Sequence, residues 1–261
     1  KKPKNYAYWF WCRFICGCKH YYLEIVVKKL KILIKGQTIN LCKPTKSFAG
    51  GDIWYKWLNR PIIIRNLKNK YKKFKNTKKE QIKFFINQRN LRKIFIISTK
   101  EHAYKGVVSL SYIDYKNKIC DIALITDATI EPHLAPYAGL EAIAILSDYA
   151  FSKLKMKKIN GVGKINLRGW QQRMELLGYK LNYLIENNNG TRSKSKFELS
   201  YDISLSHADF KFLKKKRGKL WDDLTSMKAR ILKLPKKSFL DNFKNFLIYN
   251  KKNYYNNIFK L

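Results

Sequence analysis

Cys12, Cys16, Cys18 and His20 lie within nine residues of one another, the tightest grouping of metal-ligand side-chain types in the chain. Zinc sites of this kind use a CxxC knuckle and a distant second pair, and this spacing has neither. The prediction is therefore no metal, only inert thiols in a short apolar segment. With Cys42 and Cys120 the cysteines number five, an odd set without a framework spacing, which points to a reducing compartment and a cytoplasmic protein. Other chemistry-bearing side chains sit mid-chain: Asp121, His133, Glu141, Asn166 and Arg173. Carboxylates and histidine do acid–base work, but each has a plain reading as well. Asp121 reads as a strand-edge carboxylate or ion pair, Glu141 as a first-turn partner of a helix dipole, and Asn166 as a turn residue. Trp54, Trp57 and Tyr112 suit either a pocket or the core.

Charge narrows the classes. Lys and Arg number 55 against 18 Asp and Glu, a formal +37, yet 46% of residues are hydrophobic and 15% aromatic, which excludes wholesale disorder. Residues 1–100 hold 26 basic and 3 acidic side chains, residues 101–202 hold 14 and 11, and residues 203–261 hold 15 and 4. The middle is near neutral and the ends carry the field. Of the bases, 45 are Lys and 10 are Arg, whereas nucleic-acid readers lean on Arg for bidentate contacts. A nucleic-acid partner is thus allowed but not favoured. The most apolar stretch, Tyr6 to Val27, is broken by Arg13, Lys19 and Glu24 and has no small-residue cleavage site, so neither a membrane span nor a signal peptide is predicted. The first Met is Met156, and residues 1–30 read as an N-terminal extension, upstream of the natural domain.

The elements follow from periodicity. Leu30 to Leu41 alternates around Gly36-Gln37, suiting a strand pair or a bent strand. Asp52 is positioned to cap a helix carrying Trp54, Trp57 and Leu58, ended by Pro61. Thr77 and Glu80 form a capping-box pattern before a helix to Gln88. Strands over Ile94–Ser98, Tyr104–Tyr115 and Ile119–Ile125 make an antiparallel meander. A loop with Pro132 and Pro136 leads to a long helix, Gly139 to Leu154. Lys158–Lys164 is a strand and Arg168–Leu177 a helix ended by Gly178. A hairpin, Tyr179–Ile185 with Lys196–Ile203, closes across Asn187–Gly190, and Ser206 caps a lysine-rich helical tail with a frayed end.

In this order of elements, several motifs resemble the GNAT superfamily of N-acetyltransferases, in its ribosomal-protein and amino-sugar branch. They are Gly-Leu-Glu-Ala-Ile at 139–143, Asp-Tyr-Ala-Phe at 148–151, Asn166, and Arg173-Met-Glu-Leu-Leu-Gly-Tyr179. Upstream, Trp54-Tyr-Lys-Trp-Leu-Asn59 and Gly106-Val-Val-Ser-Leu110 are similar to that branch's first helix and third strand. The resemblance covers about residues 31–205 and implies an α+β, GNAT-like three-layer fold. In it a mixed sheet, an antiparallel meander followed by a parallel strand splayed from its neighbour, is flanked by helices. A basic helical C-terminal extension, 206–261, completes the chain.

The resemblance also implies a direct transfer from acetyl-CoA. Ala123, Leu124 and Ile125 would pair with the pantetheine arm, and the helix start at Leu134, Ala135, Tyr137, Ala138 and Gly139 would cradle the pyrophosphate. Asn166 and His133 would contact the cofactor, Asp121 would be the general base, and Trp54, Trp57 and Tyr112 would line the acceptor pocket. Arg173 would face a phosphate. The chain departs from the family at three places. Ala135 and Tyr137 replace two loop glycines, Met174 stands where a proton-donating Tyr is common, and the Asn166-to-Gly178 spacing is one residue long. The implied activity is N-acetylation of a primary amine, on a small molecule such as an amino-sugar nucleotide or else on a protein. The alternative is a catalytically degenerate binding module using its basic ends on RNA, the ribosome or an anionic surface.

Overall fold

The computed structural model describes residues 30–66, 76–127, 133–187, 198–236 and 251–261. The expectations for Cys12, Cys16, Cys18 and His20, for the N-terminal extension before residue 30, and for the turn residues 188–190 lie outside the described residues. Leu30 to Leu41 resolves as part of a tight hairpin, β1 (Ile32–Lys35) and β2 (Asn40–Cys42), closed by Gly36 N donating to Ile39 O at 3.0 Å. A short helix that sequence periodicity did not reveal, α1 (Lys46–Ala49), follows because Thr45 Oγ1 accepts from Phe48 N at 3.1 Å. In α2 (Asp52–Leu58) the N-cap is Gly51 and Asp52 is the first helical residue, so the helix begins one place earlier than an Asp52 cap would set it. Pro61 does not terminate that helix; it opens the next, α3 (Pro61–Asn66), where a missing N–H is harmless. Thr77 caps α4 (Lys78–Gln88) by accepting from Glu80 N.

The meander is β3 (Lys93–Ser98), β4 (Tyr104–Asp114) and β5 (Ile119–Thr126). It leads into α5 (Ala135–Ser152), then β6 (Lys158–Lys164), a 3-10 turn at Ile165–Leu167 and α6 (Arg168–Leu176). β7 (Lys180–Asn187) and β8 (Glu198–Ser206) form the closing hairpin. The helix α5 starts at Ala135, four residues ahead of Gly139, because Pro136 falls in the first turn. The eight strands form one sheet in the order β1-β2-β3-β4-β5-β6-β8-β7, with β5 and β6 parallel and every other pair antiparallel. This is the GNAT-like mixed sheet.

Alternation along the strands builds two cores. Ile94, Ile96 and Val107 face α1, α2 and α4 with Phe48, Trp54, Trp57 and Phe85. Phe95, Ile97, Val108 and Leu110 face α5 across the sheet. The C-terminal tail forms α7 (His207–Arg217), α8 (Leu224–Leu232) and α9 (Lys251–Lys260). It is helical as expected, but it enters the α5-side core through Phe210, Leu213, Trp221, Met227, Tyr255 and Ile258. The chain end is packed instead of frayed: Ile258 is 1% exposed and Phe259 4%.

Candidate active site

The parallel pair β5–β6 is short. Its register runs Ile119–Lys158, Cys120–Ile159, Asp121–Asn160 and stops, although β5 continues to Thr126 and β6 to Lys164. Beyond that rung β5 keeps its partner β4 to Thr126, and β6 keeps its partner β8 to Lys164. Two strands held on their outer sides and unpaired on their inner sides make a fork, open where Ala123, Leu124 and Ile125 present their backbone. Cys120 and Ile122 belong to the α5-side core, so Asp121, Ala123 and Ile125 face the opposite side with α2. At the root of the fork, Asn160 Nδ2 donates to Asp121 Oδ1 at 3.4 Å. Burial pushes the Cys120 thiol up to about 12, with the Asp121 charge contributing, which makes it an inert thiol.

The start of α5 borders the fork. Gly139 is needed there for close packing: a Cβ would fall 2.9 Å from Leu124 Cδ2, 3.1 Å from Thr126 Cγ2 and 3.2 Å from Trp170 Cη2. Of the first amides, Pro136 has none, while Tyr137 N and Ala138 N both donate to Leu134 O at 3.0 Å. Leu134 and Ala135 are the amides that precede the first helical bonds. Beside them lies a small apolar cavity of about 70 Å³ lined by Thr38, Ile39, Lys105, Leu134, Tyr137 and Leu224. Lys105 is only 5% exposed, and Lys228 of α8 places its Nζ 5.6 Å from the Tyr137 ring centroid. Thus the C-terminal tail reaches the same helix end.

Several expected site residues lie elsewhere. Trp54 and Trp57 are 3% and 2% exposed and belong to the core under α2, so neither lines an acceptor pocket. Trp54 stacks on Phe48 at 5.4 Å, and Trp57 Nε1 donates to Asp127 Oδ2 at 2.8 Å. Of the two readings open to them, pocket or core, both tryptophans take the core, on one face of α2 three residues apart. Tyr112 is 72% exposed at φ 48°, in a bulge of β4, with the Arg92 guanidinium 5.6 Å from its ring centroid. Asn166 is exposed in the 3-10 turn after β6, and His133 is exposed ahead of α5. Arg173 is partly buried on α6. Glu141 is not in the first turn: fully buried, it accepts from Gln37 N, Thr38 N and Thr38 Oγ1 and ties the β1–β2 turn to α5.

Three further groups left no sign in the sequence. Asp127, 5% exposed at the end of β5, accepts from Trp57 and from Arg60 Nη1 at 2.6 Å. Glu175 is fully buried on α6, where it accepts from Gln171 Nε2 and from the hydroxyls of Tyr254 and Tyr255. Burial raises its pKa to about 8. Tyr201 on β8 lies across β6 at Gly163. Their partners are 70 or more residues away for Asp127–Trp57 and Glu175–Tyr254, beyond the reach of local spacing. Among the described residues no group of three or more His, Cys, Asp or Glu is placed to hold a metal, and no helix is long and apolar enough to cross a membrane.

A forked parallel pair inside a sheet of this order, with a helix beginning at the fork, defines the GNAT-like class of α+β folds. Solved structures of that class align with the chain. Spermidine N-acetyltransferase from Vibrio cholerae, in complex with CoA and spermine, matches at TM-score 0.54 and 12% identity over 66% of this chain and 97% of its own. A chimera of that enzyme and hSSAT matches at 0.52 and 13% over 66% and 97%. A putative acetyltransferase from T. thermophilus matches at 0.53 and 13% over 77% and 95%. No protein-family model matches the chain, and no curated protein does.

Proposed function

We propose that the protein is an acetyl-CoA-dependent N-acetyltransferase acting on a primary amine. The observation that carries the reading is the fork: β5 and β6 part after Asp121 and Asn160 with α5 beginning at its border. An extended thioester arm fits such an opening by adding strand-like hydrogen bonds to Ala123, Leu124 and Ile125. The amides of Leu134 and Ala135, with the Lys228 ammonium near Tyr137, suit a pyrophosphate. Acetyl-CoA supplies the activated acyl group. Asp121, on the face away from α5, takes the amine proton directly or through water, and Asn160 orients its carboxylate. The likeness to an enzyme solved with CoA and spermine supports the same donor and a small-molecule acceptor.

For the acceptor, the basic excess of the two ends, 26 against 3 in residues 1–100 and 15 against 4 in residues 203–261, opposes the approach of a polycation and favours an amine that also carries phosphate, such as an amino-sugar nucleotide. Thermal-shift titration with acetyl-CoA, followed by a free-thiol assay over amino-sugar nucleotides, polyamines and peptide N-termini, tests the reading. Acetyl-CoA is expected to raise the melting temperature, and one class to release thiol. No shift at millimolar acetyl-CoA, with tight salt-sensitive RNA binding, sinks it.

That last outcome belongs to a second reading, a GNAT-fold binding module that has lost catalysis. The helix start favours it: Pro136 lacks an N–H, and Tyr137 and Ala138 direct theirs to Leu134 O.

A further inference from the structure

Transfer from a thioester leaves a sulfur that must gain a proton. The helix position where the resemblance implies a tyrosine is Met174, 2% exposed and without a proton to give. A phenol stands on the same side of the sheet, two strands away from β5. Tyr201 of β8 is the register partner of Gly163 of β6, and its ring crosses that glycine. A Cβ on Gly163 would fall 2.3 Å from both Cζ and Oη of Tyr201, so the hydroxyl end, not the ring base, lies over β6. Gly163 is three residues past Asn160, and Leu124 is three residues past Asp121, the last rung that joins the strands. The hydroxyl therefore lies over β6 beyond the last β5–β6 rung, on the α5 side of the sheet, where the two strands have parted.

Two further properties bear on this hydroxyl. Tyr201 is 2% exposed; among the described residues Oη makes no hydrogen bond and is not one of the fully buried polar atoms, so the small exposed area reaches the hydroxyl and an incoming group can meet it. Burial, together with the nearby Glu175 carboxyl, also holds its pKa above the usual tyrosine range, so the phenol keeps its proton at neutral pH.

We propose that Tyr201 is the general acid of the transfer, the residue that protonates the thiol leaving group. The assignment rests on the acetyl-CoA reading above. As the amine nitrogen forms its bond to the acyl carbon, the carbon–sulfur bond breaks and its electron pair stays on sulfur. Tyr201 Oη gives its proton to that sulfur, Asp121 or a water takes the proton lost by the amine, and solvent returns one proton to the phenolate. Amine and thioester become amide and thiol, with no other reactant.

The test is Tyr201→Phe, which removes only an oxygen that has no partner among the described residues and so keeps the fold. Calorimetry with CoA and with desulfo-CoA gives a readout independent of turnover. Parent protein is expected to bind CoA about fivefold more tightly than desulfo-CoA, the size of one modest hydrogen bond. Tyr201→Phe is expected to bind both equally and to turn over about 100-fold more slowly. If the parent binds CoA and the variant keeps turnover within about twofold, or keeps the preference for CoA, Tyr201 is not the acid while the acetyltransferase reading stands. If the parent binds neither ligand, the acetyl-CoA reading itself fails and the assignment falls with it.

Discussion

The Tyr254 hydroxyl donates a 2.6 Å hydrogen bond to Oε2 of Glu175, joining the last helix to α6 in a site from which water is excluded. Tyr255 donates to the same carboxyl at 3.3 Å while accepting from Leu181 N at 2.7 Å. Desolvation outweighs these hydrogen bonds and raises the Glu175 pKa from 4.5 to about 8. Between those values the folded protein holds a proton that the unfolded chain has released. Stability contributed at this site is therefore present at acidic pH and is lost as pH rises from about 4.5 to about 8. Glu175→Gln replaces the neutral carboxyl with a neutral amide. Denaturation at about pH 5, 7 and 9 is expected to show that the variant has a smaller decline with pH than the parent. Equal declines would mean that Glu175 does not hold a proton when buried.

Asp127 closes the far end of β5 by accepting from both Trp57 Nε1 and Arg60 Nη1. Asp127→Ala removes the acceptor of the buried Trp57 indole N–H and of Arg60 Nη1. A loss of about 2–3 kcal/mol is expected in urea denaturation, the scale of buried hydrogen bonds to a charged group. Asp127→Asn keeps an acceptor for Trp57 and is expected to lose less. Equal losses would show that the ion pair, and not the indole bond, dominates.

The tail belongs to the main core, because Tyr254, Tyr255, Ile258 and Phe259 pack with residues of α5 and α6. Ile258→Ala is expected to destabilise by about 2–5 kcal/mol. Deleting 251–261 removes all four side chains and the partners of Glu175 and Leu181 N, so it is expected to lower the melting temperature further than Ile258→Ala. A deletion that melts like the parent would establish the tail as an independent appendage.

Strand and helix order was legible because it rests on local periodicity: the Ile94–Ser98 and Ile119–Ile125 patterns became β3 and β5 nearly end to end. Boundaries set by proline were not, since Pro61 and Pro136 are tolerated in first helical turns where they read as breaks. At the site, the parallel strand that splays from its neighbour was legible through the resemblance, whereas periodicity set the start of the following helix four residues late. Side-chain roles that depend on burial were not. Trp54 and Trp57 have the same spacing in a pocket wall as in a core, and only the packing of Phe48, Phe84 and Phe85 around Trp54 decides between them. Glu141, Asp127 and Glu175 meet partners that are distant in sequence, which no local pattern reveals.

Asp121 stands at the last rung before the fork, on the face away from α5, with Asn160 Nδ2 at 3.4 Å from its Oδ1. Under the proposed activity, a base placed there would meet an amine arriving opposite the helix side of the thioester arm. Asp121→Asn preserves shape and the contact to Asn160 while removing the capacity to take a proton. Turnover at neutral pH is expected to fall about 100-fold, within the range typical of general-base loss. Affinity for CoA, measured by calorimetry, is expected to stay within about twofold, because the proposed cofactor contacts lie further along β5 and at α5. The rate of the variant is also expected to recover as pH rises, since more of the amine is then neutral before it binds. A variant that turns over as fast as the parent at neutral pH would remove Asp121 as the base, and one that loses CoA affinity in step with turnover would make its role structural.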